Sequence, residues 1–223
     1  MKTNSTELVF ILDRSGSMGG LESDTIGGFN SMLAKQQAEP GVCRITTVLF
    51  DNEYEVLHDR IDIQAVKSIT DREYNVRGST ALLDAVGKTI NKIGAAQKHT
   101  ADDYRAEKVL FVITTDGMEN ASCEFGYDKI KSMIEHQKSK YNWEFIFLGA
   151  NIDAVDVANR FGVARNRAQS FHNDSEGIRL NYEMLSRTAS QFRSAEVCAS
   201  IADNWCAEID ADYKKRGAKK RRR

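Results

Sequence analysis

The stretch Leu8-Val9-Phe10-Ile11-Leu12-Asp13-Arg14-Ser15-Gly16-Ser17-Met18 decides the reading of this chain. Five consecutive apolar residues describe a strand buried on both faces, as in a parallel sheet. The run ends abruptly in Asp13-x-Ser15-x-Ser17, with Gly16, Gly19 and Gly20 loosening the backbone. Alternate residues of an extended loop can point the same way, so one carboxylate and two hydroxyls can converge. Such hard oxygen donors suit Mg²⁺, Mn²⁺ or Ca²⁺.

Working outward, strand and helix patterns alternate. Thr25 to Gln37 has helical spacing, with Ile26, Phe29, Met32 and Leu33 on one face. Gly27 and Gly28 interrupt it, which predicts close packing of that helix on the sheet. Arg44 to Phe50 reads as a strand, and Asp51-Asn52-Glu53 as a hairpin turn into Tyr54 to Leu57. Ile61 to Ile69 reads as a short helix. Gly78-Ser79-Thr80 forms a loop before a helix over Ala81 to Ala96, leaving Thr80 as either a cap or a ligand.

Val109 to Ile113 is a second wholly apolar strand, and it too ends in hydroxyls and an acid, Thr114-Thr115-Asp116-Gly117. Helices over 127–137 and 152–161 flank a strand over 143–148. A short strand at 169–171 and a helix over 176–192 complete the pattern. This order predicts an α/β fold: a doubly wound, mostly parallel sheet with helices on both faces and one antiparallel edge strand. Ligands of such sheets bind beyond the carboxyl ends of the strands. Asp13, Thr80 and Asp116 all fall there.

Together these residues resemble the von Willebrand factor A domain, the Rossmann-like fold shared with integrin I domains. Asp13-x-Ser15-x-Ser17, Thr80 in Gly-Ser-Thr-Ala-Leu and Asp116 in Thr-Thr-Asp-Gly match, in order, the whole metal-ion-dependent adhesion site of that family. The resemblance covers roughly residues 5 to 192, and residues 149–177 look more like standalone bacterial or phage members. It implies a bound Mg²⁺, with Mn²⁺ or Ca²⁺ as alternatives. Ser15, Ser17 and Thr80 would ligate through hydroxyls, and Asp13 and Asp116 directly or through water. An Asp or Glu carboxylate of a partner protein would complete the shell. The implied activity is binding without catalysis.

Bulk properties agree with a single domain over residues 1–192, followed by a helical extension over 193–213 and a tail over 214–223. At 223 residues, 41% hydrophobic and 28% charged, the chain can bury a full core. Eight of its last ten residues are Lys or Arg, so the rest carries 23 basic against 32 acidic residues. An acidic body suits cation binding and excludes a body-wide nucleic-acid surface. The tail is charged enough to be expected disordered, with RNA, DNA or an acidic protein as its partner. Neither a signal peptide nor an apolar run of membrane length is seen, and four cysteines without metal spacing fit a cytoplasmic protein.

Other motifs read as bland. Gly87-Lys88-Thr89 lacks the upstream glycine of a phosphate-binding loop, since position 82 is Leu. His58, His99, His136 and His172 are scattered, and Cys123 reads as a structural thiol. Tyr141, Trp143, Phe145 and Phe147 alternate as core, and Trp205 and Tyr213 read as packing. A metal-dependent phosphohydrolase built on a strand-end Asp is the enzyme alternative. Ser15 stands where its second acid would be.

Overall fold

The computed structural model describes residues 5–196 and 200–220, the side chains of the last three excepted. Six strands form one sheet: β1 (Thr6–Asp13), β2 (Cys43–Phe50), β3 (Tyr54–Asp62), β4 (Lys108–Thr115), β5 (Glu144–Ala150) and β6 (Ala168–Phe171). Their order is β3-β2-β1-β4-β5-β6. Every pairing is parallel except β2 with the edge strand β3. The helices are α1 (Glu22–Ala38), α2 (Leu82–His99), α3 (Tyr127–Tyr141), α4 (Ala154–Arg160), α5 (Ser175–Ser194) and α6 (Ala207–Lys220). The expected fold class is therefore the observed one.

All eight residues of β1 are buried. Its pleat sends Leu8, Phe10 and Leu12 into a core shared with α1, α5 and α6, and Val9 and Ile11 into a second core under α2, α3 and α4. A central strand covered on both faces must be apolar throughout. Polar residues enter only at its ends, as Thr6, Glu7 and Asp13, and Glu7 needs partners of its own. It is fully buried yet satisfied, one oxygen accepting from Arg60 Nε at 2.7 Å and the other from Gln97 Nε2 at 2.7 Å.

Three expectations are corrected. Gly28 packs on α5 and not on the sheet, because a Cβ there would lie 2.2 Å from the Tyr182 ring. Residues 61–69 form no α-helix: β3 continues to Asp62, and only Ile63–Ala65 make a 3-10 turn. Pairing of Ile45 with Ile61 and Arg44 with Asp62 outweighs the weak helical pattern.

The basic tail is the third. α5 stops at Ser194, and α6 continues through Lys220 where disorder was expected. Helical i, i+4 pairs explain this: Lys214 with Asp210 and Arg216 with Asp212, while Arg216 also reaches Asp174 at 2.6 Å. Residues 221–223, the rest of that expectation, lie outside the described residues. Trp205 and Tyr213 do pack. Trp205 Nε1 donates to the Asn166 carbonyl at 2.8 Å, and the Tyr213 ring stacks on His172 at 4.8 Å. Among the described residues no helix is long and apolar enough to cross a membrane.

Candidate metal centre

Parallel pairing of β1 with β4, Leu12 opposite Thr114, delivers Asp13 and the Thr115-Asp116 pair side by side at the carboxyl edge of the sheet. Two loops are then stitched over this edge. Gly16 N–H donates to the Gly78 carbonyl at 3.1 Å, and Arg77 N–H to the Arg14 carbonyl at 2.8 Å. Glycine suits position 78. Its φ is +66°, and a Cβ would lie 2.0 Å from Asn52 Oδ1. This stitching carries Thr80 to the acidic loop.

Thr80 is not a helix cap. The residue preceding α2 is Ala81, which makes no side-chain cap. Leu83 N–H is instead taken by Glu119 Oε2 at 2.9 Å, and Asp84 N–H by Ser122 Oγ at 3.1 Å. Asn120 brackets the Thr80 backbone, accepting its N–H at 2.9 Å and donating to its carbonyl at 3.1 Å. Capping by the 119–122 loop relieves the Thr80 hydroxyl of that duty.

The hydroxyls converge. A Cβ on Gly117 would lie 2.9 Å from Thr80 Oγ1, 3.1 Å from Ser17 Oγ and 3.8 Å from Ser15 Oγ. Ser15 Oγ and Ser17 Oγ are themselves 3.1 Å apart, and Ser17 Oγ donates to Asp116 Oδ1. The other Asp116 oxygen accepts from Asn173 Nδ2 at 2.8 Å. Asp13 Oδ1 accepts from Ser15 N–H at 2.7 Å, and Oδ2 accepts from the Thr115 hydroxyl. Tyr74 OH donates to the Asp13 carbonyl at 2.6 Å. Asp13, Ser15, Thr80 and Asp116 are buried, whereas Ser17 is exposed, so the cluster opens to solvent at Ser17.

Burial sets the electrostatics. It pushes the Asp13 carboxyl up to about 6, against the opposing hydrogen bonds from Thr115 and Ser15 and with help from the negative charge of Asp116. Burial likewise raises Asp116, although Ser17 and Asn173 hydrogen bonds oppose it. Two desolvated carboxylates that face no cationic side chain among the described residues are what a divalent ion would stabilise. The donor set is all oxygen, which fits Mg²⁺, Mn²⁺ or Ca²⁺. Among the described residues no three His, Cys, Asp or Glu side chains converge.

Arg14, beside the motif, is turned away from it. It is buried, with Nε 2.9 Å from Asp51 Oδ2 and Nη1 2.6 Å from Glu55 Oε2. Burial acts to raise the Asp51 carboxyl, but hydrogen bonds from Arg77, Glu53 N–H and Arg14 outweigh it and hold Asp51 below its ordinary value. Met118 is 69% exposed at the end of the Asp116 loop. Cys123 is exposed and 3.5 Å from the Ala121 carbonyl.

The structure brings Asp13, Ser15, Ser17, Thr80 and Asp116 together, held by groups that the sequence analysis did not single out. Thr115 carried a signal, since it stands in Thr-Thr-Asp-Gly at the strand end. Tyr74 and Asn173 carried none, because they reach the site from loops far away in sequence, and Glu119 and Asn120, although in the Asp116 loop, act on Leu83 and Thr80 some forty residues back.

No protein-family profile matches the chain, and no curated protein sequence does. Solved structures do. A von Willebrand factor type A protein from Catenulispora acidiphila superposes with a TM-score of 0.57 at 11% identity, over 84% of this chain and 43% of that one.

The fold is that of von Willebrand factor A domains.

The SpaC pilus adhesin of Lactobacillus rhamnosus GG, in its open conformation, gives a TM-score of 0.62 at 10% identity, over 86% of this chain and 30% of its own length. A point mutant of the PilB minor pilin from Streptococcus sanguinis gives 0.58 at 13% identity, over 93% and 64%. The present chain thus spans under two thirds of each of these larger chains. Von Willebrand A-like folds commonly serve as interaction or adhesion modules.

Proposed function

We propose that this chain is a divalent-metal-dependent protein-binding module of the cytoplasm, in which an ion held at the carboxyl edge of the sheet is completed by an acidic side chain of a partner. The observation that carries this reading is the convergence of the Ser15, Ser17 and Thr80 hydroxyls on one point beside Gly117, next to two buried carboxylates. Ser15, Ser17 and Thr80 would ligate directly, with Asp13 and Asp116 ligating or holding ordered water. The ion would supply a positive charge for an incoming carboxylate.

The chain's own residues define what surrounds that charge. Thr115 and Ser15 hold Asp13 through both oxygens, which supports an orienting role over that of a free nucleophile. Asn173 holds one oxygen of Asp116 and leaves the other to Ser17. Exposed Ser17 marks the side from which a partner approaches. Free thiols at Cys43, Cys123 and Cys206 support a reducing compartment.

The test is calorimetric titration of chelator-treated protein with Mg²⁺ and Mn²⁺, beside Asp13→Ala. Binding near one ion per chain that disappears in the variant supports the reading. Equal binding by both proteins, or none by either, removes its basis.

A further inference from the structure

Asp51 grips two of the loops that carry candidate ligands and belongs to neither. It stands where β2 turns into β3 and is wholly buried. Its Oδ1 accepts from Glu53 N–H at 2.6 Å, and its own N–H donates to the Glu53 carbonyl at 3.1 Å, so the turn fixes the carboxylate. Its Oδ2 then meets two cations at once, Arg14 Nε and Arg77 Nε, each at 2.9 Å. Arg14 immediately precedes Ser15, and Arg77 lies three residues before Thr80.

Backbone bonds double this grip. The Phe50 carbonyl accepts from Arg14 N–H at 2.8 Å, and the Asp51 carbonyl from Ala81 N–H at 2.9 Å. Asp51 therefore pins the Thr80 loop on both sides of Thr80, at Arg77 and at Ala81. The loop of Ser15 and Ser17 is pinned to the same turn just before Ser15.

Charge explains why an acid stands there. The bond from Arg77 N–H to the Arg14 carbonyl draws together two arginines whose guanidiniums repel each other. Glu55 pairs with Arg14, and Glu53 with Arg77, but each of these acids meets one arginine. Among the described residues Asp51 is the acid that pairs with both. Both of its oxygens are committed to these bonds, so it is not itself a ligand.

We propose that Asp51 is a positioning residue that sets ion selectivity, by fixing Thr80 relative to Ser15 and Ser17. Mg²⁺ demands near-octahedral geometry, whereas Ca²⁺ accepts a larger and more flexible shell, so a rigid set of donors favours Mg²⁺. This rests on the metal-dependent reading above and adds to it a residue outside the ligand set.

The experiment is calorimetric titration of the full, chelator-treated chain with Mg²⁺ and, separately, with Ca²⁺. Wild type, Arg77→Met, Asp51→Asn and Asp13→Ala are compared, with urea denaturation in chelator run beside them. The Arg77 side chain is 49% exposed, so Arg77→Met frees one loop without opening the core and serves even if Asp51→Asn does not fold. Wild type should prefer Mg²⁺. Arg77→Met should weaken Mg²⁺ binding about tenfold, and Asp51→Asn by more, while Ca²⁺ binding falls less than about threefold in Arg77→Met.

Equal losses for the two ions overturn the proposal, since they make Asp51 a structural residue only. So does a lower urea midpoint with the affinity ratio unchanged, or a wild type that prefers Ca²⁺. Unchanged Mg²⁺ affinity in Arg77→Met also overturns it, because Thr80 is then placed without this link. In each of these cases the metal-dependent reading stands as long as Asp13→Ala abolishes binding. If wild type binds neither ion, or Asp13→Ala binds both as well as wild type does, that reading has failed and this proposal falls with it.

Discussion

Asn173 Nδ2 donates to Asp116 Oδ2 at 2.8 Å, joining the loop after β6 to the end of β4 across 57 residues of chain. Asp116 thus has one oxygen committed to an orienting amide, and the other directed to Ser17. Partners that orient metal ligands are typically worth ten- to a hundredfold in metal affinity. Asn173→Ala is accordingly expected to weaken Mg²⁺ binding about tenfold by calorimetry, with a small loss of stability. An unchanged dissociation constant would show that Ser17 alone positions Asp116.

The raised Asp13 carboxyl makes a signed pH prediction. Its folded value, about 6, lies above the ordinary 3.8, so between those pH values the folded chain binds more protons than the unfolded one. Stability of the chelator-treated protein should therefore fall as pH rises from about 4 to 6, by up to about 3 kcal/mol from this group, and then level off. Mg²⁺ should offset that loss above pH 6, because the ion binds the ionised form. Urea denaturation at pH 4.5 and 6.5, with chelator and with Mg²⁺, measures both. In Asp13→Asn the contribution of this group to both slopes should disappear.

Glu119 frees the Thr80 hydroxyl by capping α2 from a distant loop. Its Oε2 takes Leu83 N–H and the Ser122 hydroxyl, and its Oε1 takes the N–H groups of Ala121 and Ser122. Losing a helix cap costs about 1 kcal/mol, and up to about 2 when charge assists it. Glu119→Ala should lower stability by that amount. It should also weaken Mg²⁺ binding, because Thr80 stands three residues before Leu83, the spacing at which a hydroxyl caps a helix N–H. A variant that loses stability while retaining full Mg²⁺ affinity would show that the cap and the ligand are independent.

Gly28 supplies a prediction about the packing of α1 on α5. A Cβ there would lie 2.2 Å from the Tyr182 ring, so Gly28→Ala must push α1 away from α5. Overpacking of this kind costs about 1–3 kcal/mol. The expected outcome is a lower denaturation midpoint, read from the same urea experiment.

By itself the sequence determined the sheet, its central strand and the five oxygen-bearing residues. A strand buried on both faces must be apolar along its length, so Leu8 to Leu12 declares itself, and a polar cluster where such a strand ends is legible for the same reason. Tertiary structure alone decided which groups hold those residues in place. Asn173, Asn120, Glu119 and Tyr74 act across tens of residues, and a hydrogen bond between loops leaves no periodic trace in either. It also decided the course of the basic end, which composition reads as too charged to order. The Asp210–Lys214 and Asp212–Arg216 pairs are local to the helix, but the Arg216–Asp174 contact exists only once α6 has packed against β6. Charge composition describes a segment in water, and packing supplies the partner that composition leaves out.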